Sequence, residues 1–278
     1  LQTPVRRRMR APSSSRGKYS FDKYGEGRNT IVTLIQSFHG RTVTTLKATG
    51  QEKFHQYFFP FTEGFAYAKA NDLADVTAKA DKTCCAVMME MIQGEGGVLP
   101  LDKEFVQGVA KYCKENDILL IVDEVQTGIG RCGSLFAYEQ YGIAPDIVTM
   151  AKGLGGGLPI GGVLAAKSCA DVMGPGTHGS TFGGNPVSAA SANVVLDTVM
   201  KPEFLKEVEG KGRLHQRKSP GISLPGSEEC SRHGTHARHH RRSGKARRIC
   251  CKAYGTGRSR PDGRNRRDPS AAASCYHL

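Results

Sequence analysis

Lys152 stands where an apolar run meets a glycine-rich run, in "DIVTMAKGLGGGLPIGG" (146–162). A lysine that is partly desolvated at the end of a strand and lies near other cations can have a lowered pKa. Its free amine can then form a Schiff base with an aldehyde. The glycines let a ligand approach the backbone closely. The stretch is not a phosphate-binding P-loop, because there the lysine follows the glycines. The alternative is a solvated lysine at a strand end.

Two further polar motifs end apolar runs in the same way. Asp123 opens "DEVQ" after "ILLIV", and an aspartate near a strand end can pair with a protonated pyridine nitrogen, which keeps that ring an electron sink. The motif "FHGR" (38–41) follows "NTIVTLIQS". Each motif alone has an ordinary alternative: Asp123 and Glu124 as a helix N-terminal pair, Phe38 as a core residue, and His39 as a turn residue.

The elements that must position these motifs alternate between strands and helices. Strands are predicted for "NTIVTLIQS", "CCAVMMEMI", "ILLIVDEV", "DIVTMAK" and "GGVLAA", and continuous apolar runs are typical of parallel strands covered on both faces. The segment "PLDKEFVQGVAKYCKENDI" predicts a helix with an apolar stripe formed by Phe105, Val106, Val109, Ala110 and Cys113. A second helix is predicted for "GGNPVSAASANVVLDTVM". This alternation predicts a three-layer α/β domain with a mostly parallel sheet, whose ligands bind beyond the carboxyl ends of the strands.

The net charge of +13 is confined to the two ends of the chain. Residues 1–17 hold five arginines and no acid, and residues 213–278 hold sixteen Lys or Arg against four acids, whereas residues 18–212 hold 18 bases and 22 acids. A nucleic-acid-binding protein that uses its arginine-rich ends is therefore the alternative of another class. It is disfavoured because the charge lies where no folded period is present and few aromatics are interleaved. We predict no nucleic-acid partner.

The nine cysteines include two adjacent pairs and no CxxC. This pattern fits neither a disulfide framework nor a zinc site, so we predict a reducing, cytoplasmic location and no metal. No apolar run reaches the length that spans a membrane, which predicts that no membrane is involved.

Five motifs, taken together and in order, resemble those of one protein family. They are "SFHGRT", "EMIQGEGGV", "LIVDEVQTGIGRCG", "APDIVTMAKGLGGGLPIGG" and "HGSTFGGNPVSAA". The chain resembles the class III pyridoxal-phosphate-dependent aminotransferases, and within them the acetylornithine and ornithine aminotransferase branch. The resemblance runs without a gap from about Lys18 to Gly212. It implies the fold type I architecture, with a large domain built on a mostly parallel sheet.

The resemblance also implies pyridoxal 5'-phosphate as the cofactor. Lys152 would hold it covalently and move the substrate α-proton, Asp123 would pair with the pyridinium nitrogen, and Gln126 would hydrogen-bond the ring hydroxyl. Phe38 would stack on the ring face, and Val125 would also contact the cofactor. The residues that would only support the site are His39 and Glu90.

Toward the substrate, the resemblance implies that Arg41 clamps a carboxylate with its bidentate fork. Ser180 would contact the substrate, and Glu95 would gate an active-site arginine. Thr181 would reach the cofactor phosphate of a neighbouring subunit, which implies a homodimer. The implied reaction is transamination of N-acetylornithine with 2-oxoglutarate, in arginine biosynthesis. The alternatives are ornithine, succinylornithine or 4-aminobutyrate as the amino donor.

Both ends of the chain depart from the family pattern. Where the family has a phosphate-binding loop, this chain has "TPVRRRMRAPSSSRG", and where the family has a small C-terminal domain, it has the basic tail. Codons for "TPVRRRMRAPSSSR" can be chosen so that a one-base slip reads "NSGAEANEGAIKLAR", and "GRLHQR" can likewise slip to "GAYIRE". We therefore predict that residues 1–17 and 213–278 are out of frame, that residues 18–212 are the cofactor-binding domain, and that this chain as it stands is inactive. The rival interpretation of the N-terminal stretch is a transit peptide.

Overall fold

A six-stranded sheet forms the centre of the fold. The computed structural model describes residues 10–172, 179–218, 227–230 and 239–241, with side chains described from 17 to 212 except 170 and 173–178. The strands are β1 (Thr30–Leu34), β2 (Phe65–Ala68), β3 (Cys84–Met89), β4 (Ile92–Gln93), β5 (Leu99–Pro100), β6 (Leu119–Asp123), β7 (Ile147–Met150), β8 (Gly162–Ala165), β9 (Ser227–Cys230) and β10 (His239–Arg241). The central sheet has the order β2-β1-β3-β6-β7-β8, and β4 with β5 and β9 with β10 form two-stranded sheets.

Parallel pairing brings the carboxyl ends of four central strands to one edge. Strands β1, β3, β6 and β7 pair in parallel, and Asp123 at the end of β6 lies opposite Thr149 of β7. Only β8 runs antiparallel within this sheet, against β7. All five predicted strands are confirmed, and so is the mostly parallel sheet. Strand β2, which pairs with β1, was not predicted.

Helices cover both faces of this sheet. They are α1 (Arg10–Tyr24), α2 (Val43–Ala48), α3 (Leu73–Lys79), α4 (Lys103–Glu115), α5 (Lys167–Ala170), α6 (Pro186–Val199) and α7 (Pro202–Lys218), and short 3-10 turns span Glu52–Phe54, Ala137–Tyr141 and Lys152–Gly155. One core packs α4 against β1, β3 and β6, and the opposite core packs Tyr19 of α1 and Cys169 of α5 against the other faces of β3, β6 and β7. The predicted three-layer architecture is therefore confirmed.

The predicted helical stripe of α4 faces the sheet. Phe105, Val106, Val109 and Cys113 are buried, and Ala110 is partly buried beside them. The helix begins after Asp102, close to the Pro and Asp that open the predicted segment, and it ends at Glu115. Its apolar face supports the strands whose ends carry the polar motifs.

Two helices cross the limits predicted for the cofactor-binding domain. Helix α1 begins at Arg10, before residue 18, and α7 continues to Lys218, beyond residue 212. Pro12 is compatible with this, because proline is tolerated in the first turn of a helix, where the amide hydrogens have no intrahelical acceptor. Most of residues 1–17 and 213–278 lies outside what the structure describes, so the frame assignment stays a prediction. In the described part of the chain, no helix has the length and apolar character needed to cross a membrane.

We expect Gly50→Ala to destabilise the domain by about 3 kcal/mol or more, because overpacking against rigid backbone cannot relax. A Cβ at Gly50 would lie 2.1 Å from the carbonyl oxygen of Leu34 and 3.0 Å from the Cα of Ile35. Gly17→Ala is the control, since a Cβ there has no neighbour within 4 Å and alanine favours the helix. Urea unfolding of both variants measures this, and equal midpoints for the two would contradict it.

Candidate active site

The polar residues that follow β1, β3, β6 and β7 gather at the carboxyl edge of the sheet. Asp123 is the last residue of β6, and Lys152 opens the 3-10 turn directly after β7. The side chains of Val125, Gln126 and Lys152 line one cleft together with Arg131. The structure thus brings the motif of Asp123 to that of Lys152, and the bond between His39 and Asp123 adds the "FHGR" motif.

Asp123 is a buried carboxylate with three hydrogen-bond donors. Its Oδ1 accepts hydrogen bonds from the amide of Val125 and the hydroxyl of Thr149, both at 3.1 Å. Its Oδ2 lies 2.8 Å from Nδ1 of His39. Because a carboxylate has about four acceptor positions, Oδ2 retains one for a further donor. Asp123 ends a strand and does not begin a helix, so the alternative of a helix N-terminal pair is wrong.

His39 is buried against Asp123 and is not an ordinary turn histidine. Burial opposes protonation of the ring, but the hydrogen bond to Asp123 and the negative charges of Asp123 and Glu90 outweigh it and raise the pKa of His39. Its Nε2 has no hydrogen-bond partner among the described residues. The ring therefore places a donor, Nδ1–H, on the Oδ2 atom of Asp123 and fixes the orientation of that carboxylate.

Lys152 is partly buried and adopts a left-handed backbone conformation, with φ of 39°. That region is costly for a residue with a Cβ and often marks functional sites. Burial lowers the pKa of the Lys152 amine, the charge of Arg131 acts in the same direction, and the charges of Asp123 and Glu90 oppose this without reversing it. A lowered pKa provides free amine at lower pH, as nucleophilic lysines require. Lys152 is therefore not a solvated lysine at a strand end.

Helix α6 packs against the turn that carries Lys152. The hydroxyl of Ser191 donates to the carbonyl of Gly155 at 2.9 Å, and a Cβ at Gly156 would lie 3.0 Å from Val195. Glycine at 156 allows this close approach, and it also suits the positive φ of 55° there. Part of the glycine run after Lys152 thus serves helix packing.

Gln126 lies across the backbone of Gly94. A Cβ at Gly94 would fall 1.6 Å from Oε1 of Gln126, so the glutamine side chain occupies the space that any larger residue would take. The loop after β6 and the turn after β4 are therefore in contact beside the cleft.

Phe38 and Arg41 form an aromatic and cationic group with Phe54. The rings of Phe38 and Phe54 meet edge to face at 5.6 Å. The guanidinium carbon of Arg41 lies 4.5 Å from the ring centre of Phe54 and 5.5 Å from that of Phe38. Phe38 is only partly buried, so it is not a core residue, and Arg41 is exposed. The planar guanidinium is stacked by the rings and keeps its donors available for a carboxylate.

Glu95 is held by residues that sequence reasoning did not identify. Nε2 of Gln51 donates to Oε2 of Glu95 at 2.9 Å and to the carbonyl of Ser37 at 3.0 Å. The amine of Lys53 lies 3.8 Å from the same Oε2 in an exposed pair. Gln51 therefore ties Glu95 to the segment that leads into Phe38.

Ser180 and Thr181 lie in an exposed turn before α6, whose first turn is capped by Asn185. Asn185 Oδ1 accepts hydrogen bonds from the amides of Val187 and Ser188. The hydrogen bonds of Asp123 involve neither Ser180 nor Thr181. Their roles toward the substrate and a neighbouring subunit stay predictions.

Several functional candidates became evident only from contacts. These are Thr149 and Arg131 beside Asp123 and Lys152, and Gln51 beside Glu95. Thr149 could have been found as the one polar residue between Asp146 and Lys152. Among the side chains that the structure describes, no group of three metal-ligating residues is present.

Buried Glu124 makes the stability of the domain depend on pH. Burial raises its pKa to about 7, although the hydroxyl of Thr127 and the amide of Tyr138 donate to it. The folded state therefore binds a proton more tightly than the unfolded state, whose glutamates have a pKa near 4.3. The contribution of Glu124 to the stability of the domain is greatest below the unfolded pKa, near 4.3, and it is lost as pH rises to about 7.

The free energy of unfolding should fall between pH 5 and pH 8 because Glu124 ionises. We expect Glu124→Gln to reduce that fall by about 3 kcal/mol, as measured by urea unfolding at the two pH values. Exposed Glu115 of α4 is the control, and its replacement by Gln should leave the profile unchanged. A wild-type stability that rises steadily from pH 5 to pH 8 would contradict the sign.

The fold is that of pyridoxal-phosphate-dependent transaminases. The ornithine aminotransferase from Toxoplasma gondii superposes with a TM-score of 0.76 at 30% identity, over 84% of this chain and 57% of that one. In one structure of that enzyme, pyridoxal phosphate partly occupies the active site. The N-acetylornithine aminotransferase from Stenotrophomonas maltophilia superposes with a TM-score of 0.65 at 32% identity, over 84% of this chain and 56% of that one.

Sequence relatives are consistent with this fold. The acetylornithine aminotransferase of Haemophilus ducreyi is 58% identical over 197 residues, which are 70% of this chain and 50% of that protein. The succinylornithine transaminase of Citrobacter koseri is 48% identical over 192 residues, 69% of this chain and 47% of that protein. A model of the aminotransferase class-III family matches residues 15–218. The chain belongs to the class III aminotransferase family, and it spans about half the length of the curated relatives it matches.

Proposed function

We propose that residues 18–212 are the cofactor-binding domain of an enzyme that transfers an amino group between N-acetylornithine and 2-oxoglutarate, a reaction of arginine biosynthesis. The observation that carries the proposal is the pairing of a partly buried lysine of lowered pKa with a triply hydrogen-bonded aspartate at one sheet edge. The relatives named acetylornithine aminotransferase support the choice of amino donor.

The residues present fit pyridoxal 5'-phosphate. Asp123 retains an acceptor position on Oδ2 for the pyridine nitrogen, and Lys152 provides an amine for the aldehyde. Gln126 would bind the ring hydroxyl, Val125 would contact the ring, and Phe38 would cover its face. When bound, the cofactor supplies an electron sink for the electrons left when the substrate α-proton is removed.

The proposed work of the protein side chains is to bind, orient and move protons. The Lys152 Nζ, as free base, would accept the α-proton from the substrate and later return it. Arg41 binds a substrate carboxylate through its guanidinium, and Glu95 neutralises an active-site arginine when no second carboxylate is bound. Ser180 contacts the substrate, and Thr181 reaches the cofactor phosphate of a second subunit in a homodimer.

Succinylornithine is the second candidate donor, because a relative of that name is 48% identical to this chain. Ornithine is the third, since the solved ornithine aminotransferase shares the fold at 30% identity. Both donors differ from acetylornithine only in the substituent on the nitrogen that is not transferred, so Arg41 and Lys152 would act on all three in the same way. Residues other than Arg41 and Lys152 must therefore distinguish the acyl groups.

The test compares the 278-residue chain with a version in which residues 1–17 and 213–278 are re-read in the alternative frames. We expect the re-read enzyme to form glutamate fastest from acetylornithine, more slowly from succinylornithine, ornithine or 4-aminobutyrate. The chain as it stands should form none, because residues 1–17 and 213–278 depart from the family pattern at the phosphate loop and the C-terminal domain. Faster turnover of ornithine, or equal turnover by the unaltered chain, would overturn the corresponding part of the proposal.

A further inference from the structure

Glu90 is a buried carboxyl group that bonds two separate loops at the cleft. It follows β3 directly, and only 4% of its surface is exposed. Its Oε1 accepts a hydrogen bond from the amide of Phe38 at 2.8 Å, and its Oε2 accepts one from the amide of Gly94 at 3.3 Å. Phe38 lies in the loop after β1 and Gly94 lies in the turn after β4, so one side chain spans both.

The first of these loops is bonded on both sides of Phe38. Its amide donates to Glu90, while the amide of His39 donates to the hydroxyl of Thr49 at 3.0 Å. The His39 ring in turn forms a hydrogen bond with Asp123. The position of the Phe38 ring is therefore set by Glu90 and, through the next residue, by Asp123.

The second loop carries Glu95 and supports Gln126. Gly94 directly precedes Glu95, and the side chain of Gln126 lies against the Cα of Gly94. A Cβ at Gly96 would fall 2.2 Å from the carbonyl oxygen of Gln36, so the turn also packs on the backbone before Phe38. A shift of Gly94 away from Glu90 would therefore disturb both Gln126, which lines the cleft, and the backbone before Phe38.

The charge of Glu90 is set by a closed group of neighbours. Burial raises its pKa to about 7, the positive charge of His39 opposes this, and the negative charge of Asp123 adds to it. Glu90 in turn acts on the amine of Lys152. The carboxyl group therefore changes its protonation state in the neutral range. A protonated carboxyl has weaker acceptor oxygens than a carboxylate.

We propose that Glu90 is a positioning residue whose ionised carboxylate holds the Phe38 loop and the Gly94 turn together, and whose protonation releases the Gly94 turn first. The longer bond, to Gly94, is the one that the loss of charge weakens most. The coupling of the two loops is a property of the chain alone. Only its consequence for a bound cofactor rests on the proposed function.

The test is residue-resolved amide hydrogen exchange on the full chain, corrected for intrinsic rates. Between pH 8 and pH 6, exchange of the Gly94 amide should accelerate by about tenfold, in line with the loss of one charge-assisted hydrogen bond. Glu90→Gln should show this fast exchange of the Gly94 amide at both pH values, because the glutamine side chain carries no charge at either. The Phe38 amide should accelerate less.

Glu124→Gln is the matched control, since Glu124 is also buried with a pKa near 7 but bonds the amide of Tyr138. It should accelerate exchange at Tyr138 and leave Phe38 and Gly94 unchanged. Equal exchange at Gly94 in wild type and Glu90→Gln, or acceleration spread uniformly over the sheet, would overturn the proposal. If Glu90→Gln fails to fold, the pH series on the unaltered chain still tests the proposal. The measurement does not require transamination by the chain.

Discussion

Replacement of Lys152 by alanine should abolish most of the covalent trapping of pyridoxal phosphate by lysine side chains of this chain. Lysines of ordinary pKa are only about one part in a thousand unprotonated near pH 7. Lys152, whose pKa is lowered by burial, should react first when millimolar pyridoxal phosphate is added and borohydride fixes the product. We expect pyridoxyl-lysine, measured after hydrolysis so that the N-terminal amine does not contribute, to fall by about tenfold or more.

Lys111→Ala is the control for this prediction. Lys111 lies on α4, is 76% exposed and pairs only loosely with Glu115. Its loss should leave early incorporation unchanged, and peptide mapping of the wild-type chain should place the product on Lys152. Predominant labelling of any other lysine would overturn the assignment of Lys152 as the cofactor lysine.

Replacement of Asp123 should have the next largest effect, on stability as well as on Lys152. Asp123→Ala leaves three donors without their acceptor: the buried hydroxyl of Thr149, the buried His39 ring and the partly buried amide of Val125. Removing one partner of a buried charged pair costs about 3–5 kcal/mol, a large part of a typical domain's stability. We expect urea unfolding to show a loss of this size.

Asp123→Asn separates the electrostatic effect from the structural one. Asparagine retains the shape but not the charge, and the charge of Asp123 is the largest influence that raises the pKa of Lys152. The pKa of Lys152 should therefore fall further, and the pH dependence of its labelling should move to lower pH.

Asp146→Asn is matched to that variant, because Asp146 accepts a hydrogen bond from the amide of Leu120 at the opposite end of the same strands. It should affect stability and leave the labelling profile of Lys152 in place. If Asp123→Asn and Asp146→Asn shift the profile equally, Asp123 does not act on Lys152 through its charge.

The architecture could be predicted because its signals are local. Continuous apolar runs such as "CCAVMME" and "ILLIVD" became β3 and β6, and the periodic stripe of α4 became the buried face of a helix. Strand β2, with the sequence "FAYA", and the short helix α3 were missed because each is too short for a period to repeat. The antiparallel direction of β8 was also not predicted, because pairing direction depends on the connection and not on composition.

Sequence alone determined which residue types stand at the ends of the strands, and hence that Lys152, Asp123 and Gln126 meet at one edge. Parallel topology makes this unavoidable, since every parallel strand delivers its carboxyl end to the same side. Only the tertiary structure decided how those groups are held. The bond from His39 to Asp123 joins residues 84 positions apart, and that from Phe38 to Glu90 joins residues 52 apart. Such contacts, and the shifts in the pKa of Lys152 and Glu90 that burial causes, depend on distances across the fold that no local pattern records.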